Sequence, residues 1–198
     1  MVGPAGSGKT TVAAALARQM GVAHIELDAI FHQPGWTELE PDEFSARVGA
    51  QTRGDAWVVD GNYSVVREKV WARADSVVWL DLGLPVVAVR IVARTVGRVV
   101  WRTELWNGNR EPASNLWSLR PQHSIIMWSL SRHSLYRRRY AEAARDPRWS
   151  HLTFIRLRTR RQVAMFLHGL PVAAPPTSAF DFDLDQGVSS WTSNSPAR

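Results

Sequence analysis

Cysteine is absent from the 198 residues, which excludes disulfides and thiolate metal sites and leaves the compartment open. No apolar run reaches the roughly 20 residues that a membrane span needs. Lysine is scarce as well: Lys9 and Lys69 are the only two, and arginine fills the other basic positions. A lysine kept in such company points to a task for a compact point charge that a guanidinium fork performs badly. No internal repeat is visible. Neither a helix-turn-helix nor an aromatic–basic single-strand platform can be recognised, which counts against a dedicated nucleic-acid binder.

What is present is 45% hydrophobic content over a length that suits one domain with a real core. The formal charge is +6. From Pro171 to Arg198 the chain holds Asp181, Asp183 and Asp185 against Arg198, a net −2, so the remainder carries +8. An excess of that sign suits several phosphates or a nucleic-acid surface. The 171–198 tail, rich in Pro, Ser and Thr, is expected to be disordered.

Gly3-Pro4-Ala5-Gly6-Ser7-Gly8-Lys9-Thr10 is a complete G-x-x-x-x-G-K-[ST] phosphate-binding loop. Gly3 and Gly8 let backbone N–H groups approach phosphate oxygens. Lys9 places its charge on the β- and γ-phosphates of ATP, and Thr10 offers a hydroxyl to Mg²⁺. Thr11 opens a helix, expected to run to about Met20, whose positive end faces the same anion. Only Met1 and Val2 precede Gly3, where a central strand of about five residues is expected, so a truncated first strand is anticipated. An ATP-type site and the lack of a secretory signal before the loop point to the cytoplasm.

Apolar runs at 24–27, 56–60, 76–81 and 152–157 read as strands. Segments 41–51, 85–102, 123–145 and 161–168 read as helices, and 28–40 and 104–121 as irregular. This alternation argues an α/β fold with a parallel sheet covered on both faces. Two apolar runs end in an acid, at Asp60 and at Asp81. Asp60 is preferred as the second holder of Mg²⁺, because Gly61-Asn62 lets a ligand approach, whereas Leu82-Gly83-Leu84-Pro85 leads into a helix. Arg90, Arg94, Arg98 and Arg102 recur every four residues, about 40° apart around the axis, and so share one slowly drifting helix face. Like charges at that spacing call for an anion, and charge spreading over a transferred phosphoryl is one.

Together Gly3–Thr10, Leu27-Asp28, Pro34-Gly35-Trp36, Phe44, Asp60-Gly61-Asn62-Tyr63, Arg67, Ala74-Asp75, Trp79-Leu80-Asp81, Arg90 and Arg94, Gly108-Asn109-Arg110-Glu111 and Arg138-Arg139-Tyr140 carry a resemblance. The chain resembles the adenylate-kinase-like P-loop kinases, above all the bacterial group labelled topology modulation proteins. The resemblance spans positions 3 to about 168. It implies five parallel strands in order 2-3-1-4-5, within a domain over residues 1–170. A substrate segment at 28–53 and a lid region at about 103–135 would close on the ligands. It also implies Arg90 by the adenine and Arg94 by the phosphates. Asp28 resembles the acid that small-molecule kinases place near the acceptor hydroxyl, and Asp60 and Arg67 would also serve the substrate. The long lid with its own small sheet or zinc knuckle is missing. The expected activity is Mg²⁺-assisted phosphoryl transfer from ATP to a small, nucleotide-like acceptor. The alternatives are a nucleic-acid-associated ATP binder and a polynucleotide 5′-end kinase.

Overall fold

Residues 1–116 and 124–169 are described in a computed structural model of the protein. The tail read as disordered lies outside the described residues. Helix α1 (Lys9–Met20) starts directly from the glycine-rich loop Gly3–Gly8, and its alanine-rich sequence is a strong helix former. Val12, Ala13, Leu16 and Ala17 form its buried face, and this face lies on strands β1 (Ala23–Glu26) and β2 (Trp57–Asp60). These two strands pair in parallel with Glu26 opposite Asp60. Strands β3 (Ser76–Leu80) and β4 (Thr153–Leu157) form a second parallel pair.

Met1 and Val2 lie between the two pairs. The Met1 amino nitrogen donates to the Val59 carbonyl at 2.5 Å, and Gly61 N–H donates to the Met1 carbonyl at 3.3 Å. On the other side Val2 N–H donates to Val78 O and Val2 O accepts from Leu80 N–H, both at 2.9 Å. The runs Val58-Val-Asp60 and Val77-Val-Trp-Leu80 are buried on both faces, as parallel strands under helices are. The protein is therefore an α/β structure of parallel strands and helices.

Helix α3 (Pro41–Gln51) has proline in its first turn followed by Asp42 and Glu43, the acids that favour a helix N-terminus. Helix α5 (Leu84–Val100) likewise starts on a proline. Helix α6 spans Ile125–Ala143, and α7 (Arg160–His168) is fixed by a capping box of Thr159 and Gln162. Tyr140, Trp71, Trp79, Phe44 and Val77 fill the main core.

Three expectations need correction. The stretch after β1 is not an irregular loop: Leu27–Phe31 is a short helix, α2, and Pro34–Trp36 a single 3₁₀ turn. Buried Leu27 and Ile30 hold α2 in place. A further helix, α4 (Ser64–Trp71), was not foreseen. Its three valines disfavour helix locally, and the burial of Val66, Val70 and Trp71 decides the outcome. Finally, α5 stops at Val100 rather than continuing through Arg102, which is exposed and has a left-handed φ of 46°. The arginine face therefore has three helical members.

Candidate functional site

The glycine-rich loop, the start of α1, the ends of β1 and β2, α5 and α6 surround one cleft of about 1610 Å³. Ala5 to Thr11 line it, while Gly3 and Pro4 lie buried behind the loop. Gly3 has φ 144°, and a Cβ there would come within 2.5 Å of the Leu80 carbonyl oxygen, so this turn against β3 requires glycine. Asn62 clamps the same residue: its Nδ2 donates to Gly3 O at 2.7 Å and its Oδ1 accepts from Gly3 N–H at 3.2 Å. The Tyr140 hydroxyl donates to that Oδ1 at 2.9 Å. From α6, Ser129 Oγ donates to Ala5 O at 3.0 Å.

Lys9 donates to the Pro4 carbonyl at 3.2 Å. Burial pushes its ammonium below the ordinary value, opposed by the nearby charges of Asp28 and Asp60. Asp60 is 2% exposed, and its Oδ2 has no hydrogen-bond partner among the described residues. Its Oδ1 lies 3.7 Å from His24 Nε2. Glu26, beside it in register, accepts from the Thr10 hydroxyl at 3.3 Å. Burial raises the Glu26 carboxyl, and the charges of Asp60 and Asp28 add to the rise. Gly61 then permits the chain to pass Leu27, whose Cβ would be 2.8 Å from any Cβ at that position.

Asp28 faces the cleft from α2, and its Oδ1 accepts from the Tyr63 hydroxyl at 2.7 Å. Desolvation, then the adjacent Asp28, drives the Tyr63 phenol above its ordinary range. His32 Nε2 is 3.5 Å from the same hydroxyl. Phe31 packs edge-on against Phe44, with ring centroids 5.1 Å apart. Trp36 is held by Asn109 and by the Arg110 carbonyl, at 2.9 and 3.0 Å. Asn109 also donates to Gln33 O, so Gly108-Asn109-Arg110-Glu111 braces the Pro34-Gly35-Trp36 turn.

The arginines of α5 do not behave alike. Arg90 Nη1 donates to Ser7 O inside the glycine-rich loop at 2.9 Å. Arg94 lines the cleft with no ion pair among the described residues, and its Nε is buried without a partner. Burial, reinforced by the neighbouring Arg98, lowers its guanidinium pKa. Arg98 is already committed: it lies 3.6 Å from the buried Glu111 carboxylate and stacks over Trp106. Arg102 does not line the cleft. Arg67 does not line it either, and instead sits over the Trp71 ring at 5.7 Å.

Asp81, the alternative acid, is held in ion pairs with arginines. Arg137 Nε lies 2.8 Å from its Oδ1, and Arg156 Nε and Nη2 donate to its Oδ2 at 2.8 and 2.5 Å. Among the lining residues that the sequence reading did not assign are Glu26 and Tyr63 as the partner of Asp28. Glu26 had a usable signal, since it ends an apolar strand just as Asp60 does.

The residues fit a nucleoside triphosphate with its magnesium ion. A glycine turn and helix start are of the kind that suits phosphates, and an orphaned buried carboxylate oxygen lies in the same cleft as the Thr10 hydroxyl. No protein-family profile, curated protein or solved structure matches the chain.

Proposed function

We propose that the protein is a phosphotransferase that moves the γ-phosphoryl group of ATP to a hydroxyl of a small, nucleotide-like acceptor. The observation that carries this reading is the convergence of Arg90 and Arg94 on the glycine-rich loop. Arg90 is bonded to Ser7, and one turn on, Arg94 is desolvated, makes no ion pair among the described residues and has its Nε unpartnered, with the Glu111 and Asp28 charges nearby. A P-loop nucleotide-binding fold in strand order 2-3-1-4-5 is part of the proposal. The hydrogen bonds from Met1 and Val2 to both strand pairs support it.

The loop amides and Lys9 bind the β- and γ-phosphates. Thr10 and Asp60 would hold Mg²⁺, which supplies charge neutralisation on the phosphate oxygens when bound. Asp28, oriented by Tyr63, accepts the proton of the acceptor hydroxyl as that oxygen bonds to phosphorus and ADP leaves. Arg94 stabilises the charge that spreads over the phosphoryl oxygens during transfer. Phe31, His32 and Trp36 shape the acceptor end. ATP is the co-substrate, and no helix among the described residues is long and apolar enough to cross a membrane.

The deciding assay incubates the protein with γ-labelled ATP and Mg²⁺ against nucleosides, nucleoside monophosphates and oligonucleotide 5′ ends. Label should reach one class and be lost in Lys9→Ala. Absence of transfer to all three classes, with ATP bound, would overturn the proposal.

A further inference from the structure

The positive charge of the chain is concentrated in one stretch. Residues 1–116 hold 12 basic and 13 acidic side chains, a net −1. Residues 124–169, which build α6, β4 and α7, hold ten arginines against Glu142 and Asp146, a net +8. An ordinary solvated surface intersperses both signs of charge, and this stretch does not. Arg132, Arg139 and Arg160 line the cleft, whereas the other seven arginines lie outside it.

Three of those seven gather around one buried acid. The wholly buried Asp81 carboxylate has Arg137 at 2.8 Å, Arg156 at 2.5 Å and Arg158 at 4.0 Å. For the aspartate this network is complete. For the guanidiniums it is not, because one negative charge faces three positive ones. Arg137 and Arg158 are 47% and 59% exposed, so the surplus is presented to solvent. Arg138 follows on α6 and has the exposed Glu142 at 3.8 Å, a pair that contributes little. Arg161 lies in the first turn of α7, which holds no acid and where the helix dipole disfavours a cation. Like charges held this close repel one another until an anion answers them.

We propose that Arg137, Arg138, Arg156, Arg158 and Arg161 form a surface that binds the phosphodiester backbone of a nucleic acid without reading its sequence. Guanidinium forks match phosphate oxygens bidentately, and such contacts position a strand but carry no base information. Asp81 holds Arg137 and Arg156 in place beforehand. That preorganisation suits phosphates set at fixed spacing along a strand. A lipid surface attracts basic residues through a diffuse potential and gains little from it. The 171–198 segment of this chain is a poor substitute, since its net −2 would leave +6 of the +8 unanswered. The surface lies outside the cleft, so it does not depend on the phosphotransfer reading.

Fluorescence anisotropy of the full chain with labelled single strands of DNA and of RNA, each about 30 nucleotides long, tests it. At about 100 mM salt both should bind with dissociation constants of about 1–100 µM. Equal affinities place recognition on the backbone alone, and a preference for RNA adds its 2′-hydroxyl; either result supports the proposal. Arg158→Gln and Arg161→Gln, made separately, should each lower the slope of log affinity against log salt by about 0.7, the share of one phosphate contact. Neither should lower the melting temperature. Arg18→Gln and Arg53→Gln, exposed positions in the half of net −1, should leave the slope as it is. Saturating ATP and Mg²⁺ should not displace the strand, and vesicles of phosphatidylglycerol should not compete with it. Replacing Asp181, Asp183 and Asp185 together by Asn should leave the affinity within about threefold of the parent. No binding at about 50 mM salt, equal slope changes in the Arg18 and Arg53 variants, displacement by ATP, competition by vesicles, or a gain of about tenfold without the three aspartates would each overturn the proposal.

Discussion

Asp60 and Asp81 follow nearly interchangeable sequences, Trp57-Val-Val and Val78-Trp-Leu, and both are buried at the same end of parallel strands. Their surroundings are opposite. Around Asp81 the charges are closed on themselves: Arg156 and Arg137 bond it, and Arg156 lies over the Trp79 ring at 4.2 Å. Around Asp60 they are left open, with His24 at 3.7 Å its one ion-pair partner among the described residues and Lys9 and Arg94 desolvated in the same cleft. A closed network stabilises a fold, whereas an open one costs stability unless an ion or ligand completes it. The same strand-end aspartate thus serves structure on one side of the protein and, by our reading, chemistry on the other.

The arginines of α5 test this contrast most strongly. Arg94→Ala should reduce turnover on the order of 1,000-fold with little change in ATP affinity, since its charge meets the transferring group. Arg98→Ala, whose charge Glu111 already answers, should matter far less, and Arg102→Ala not at all. Steady-state kinetics paired with ATP titration reads both quantities. If all three replacements instead weaken nucleic-acid binding equally, each lowering the salt slope by about one, the open region serves a polynucleotide backbone.

Next in size is the aspartate exchange itself. Asp60→Asn should lower turnover on the order of 100-fold at limiting Mg²⁺ and recover in part as Mg²⁺ rises. Asp81→Asn should leave turnover per folded molecule unchanged. The reverse result would mean that the closed network hides the catalytic acid.

Stability should invert the ranking. Asp81→Asn strips the counter-charge from Arg156 and Arg137, both partly exposed, and should cost about 2–3 kcal/mol, less than a fully buried pair. Asp60→Asn should melt no lower than the parent. Denaturant unfolding of the two variants side by side settles the point.

The smallest effect is a pH dependence. Lys9 has its folded pKa below its ordinary value of 10.5, so folding favours the neutral amine. Its charged form therefore costs stability at neutral pH, and the cost disappears as pH rises through the folded value towards 10.5. Lys9→Met should melt a few degrees higher than the parent at pH 7 and converge with it in alkali. A melting difference that does not change between pH 7 and pH 10 would show that Lys9 is not under this strain.

The motif from Gly3 to Thr10 and the pairing of apolar strands with flanking helices could be read directly, because both depend on near neighbours. Helix α3 was bounded correctly from Pro41 and its following acids. Helix α4 was missed because burial of Val66, Val70 and Trp71 overrides the valine preference for strands. Arg67 was placed with the substrate from its resemblance alone, and a neighbouring tryptophan claims it.

The pairing of Asp81 comes from Arg137 and Arg156, which lie more than 50 positions from it along the chain. Asn62 reaches back 59 positions to clamp Gly3, and Tyr140 reaches Asn62 across 78. Local spacing by itself determined the glycine-rich loop with its helix, the α/β alternation and the arginine periodicity, since each follows from backbone geometry over a few residues. Which charges are satisfied and which arginines meet the cleft were decided only by the tertiary structure. Electrostatic pairing and burial depend on distance through space, and folding sets that distance independently of position along the chain.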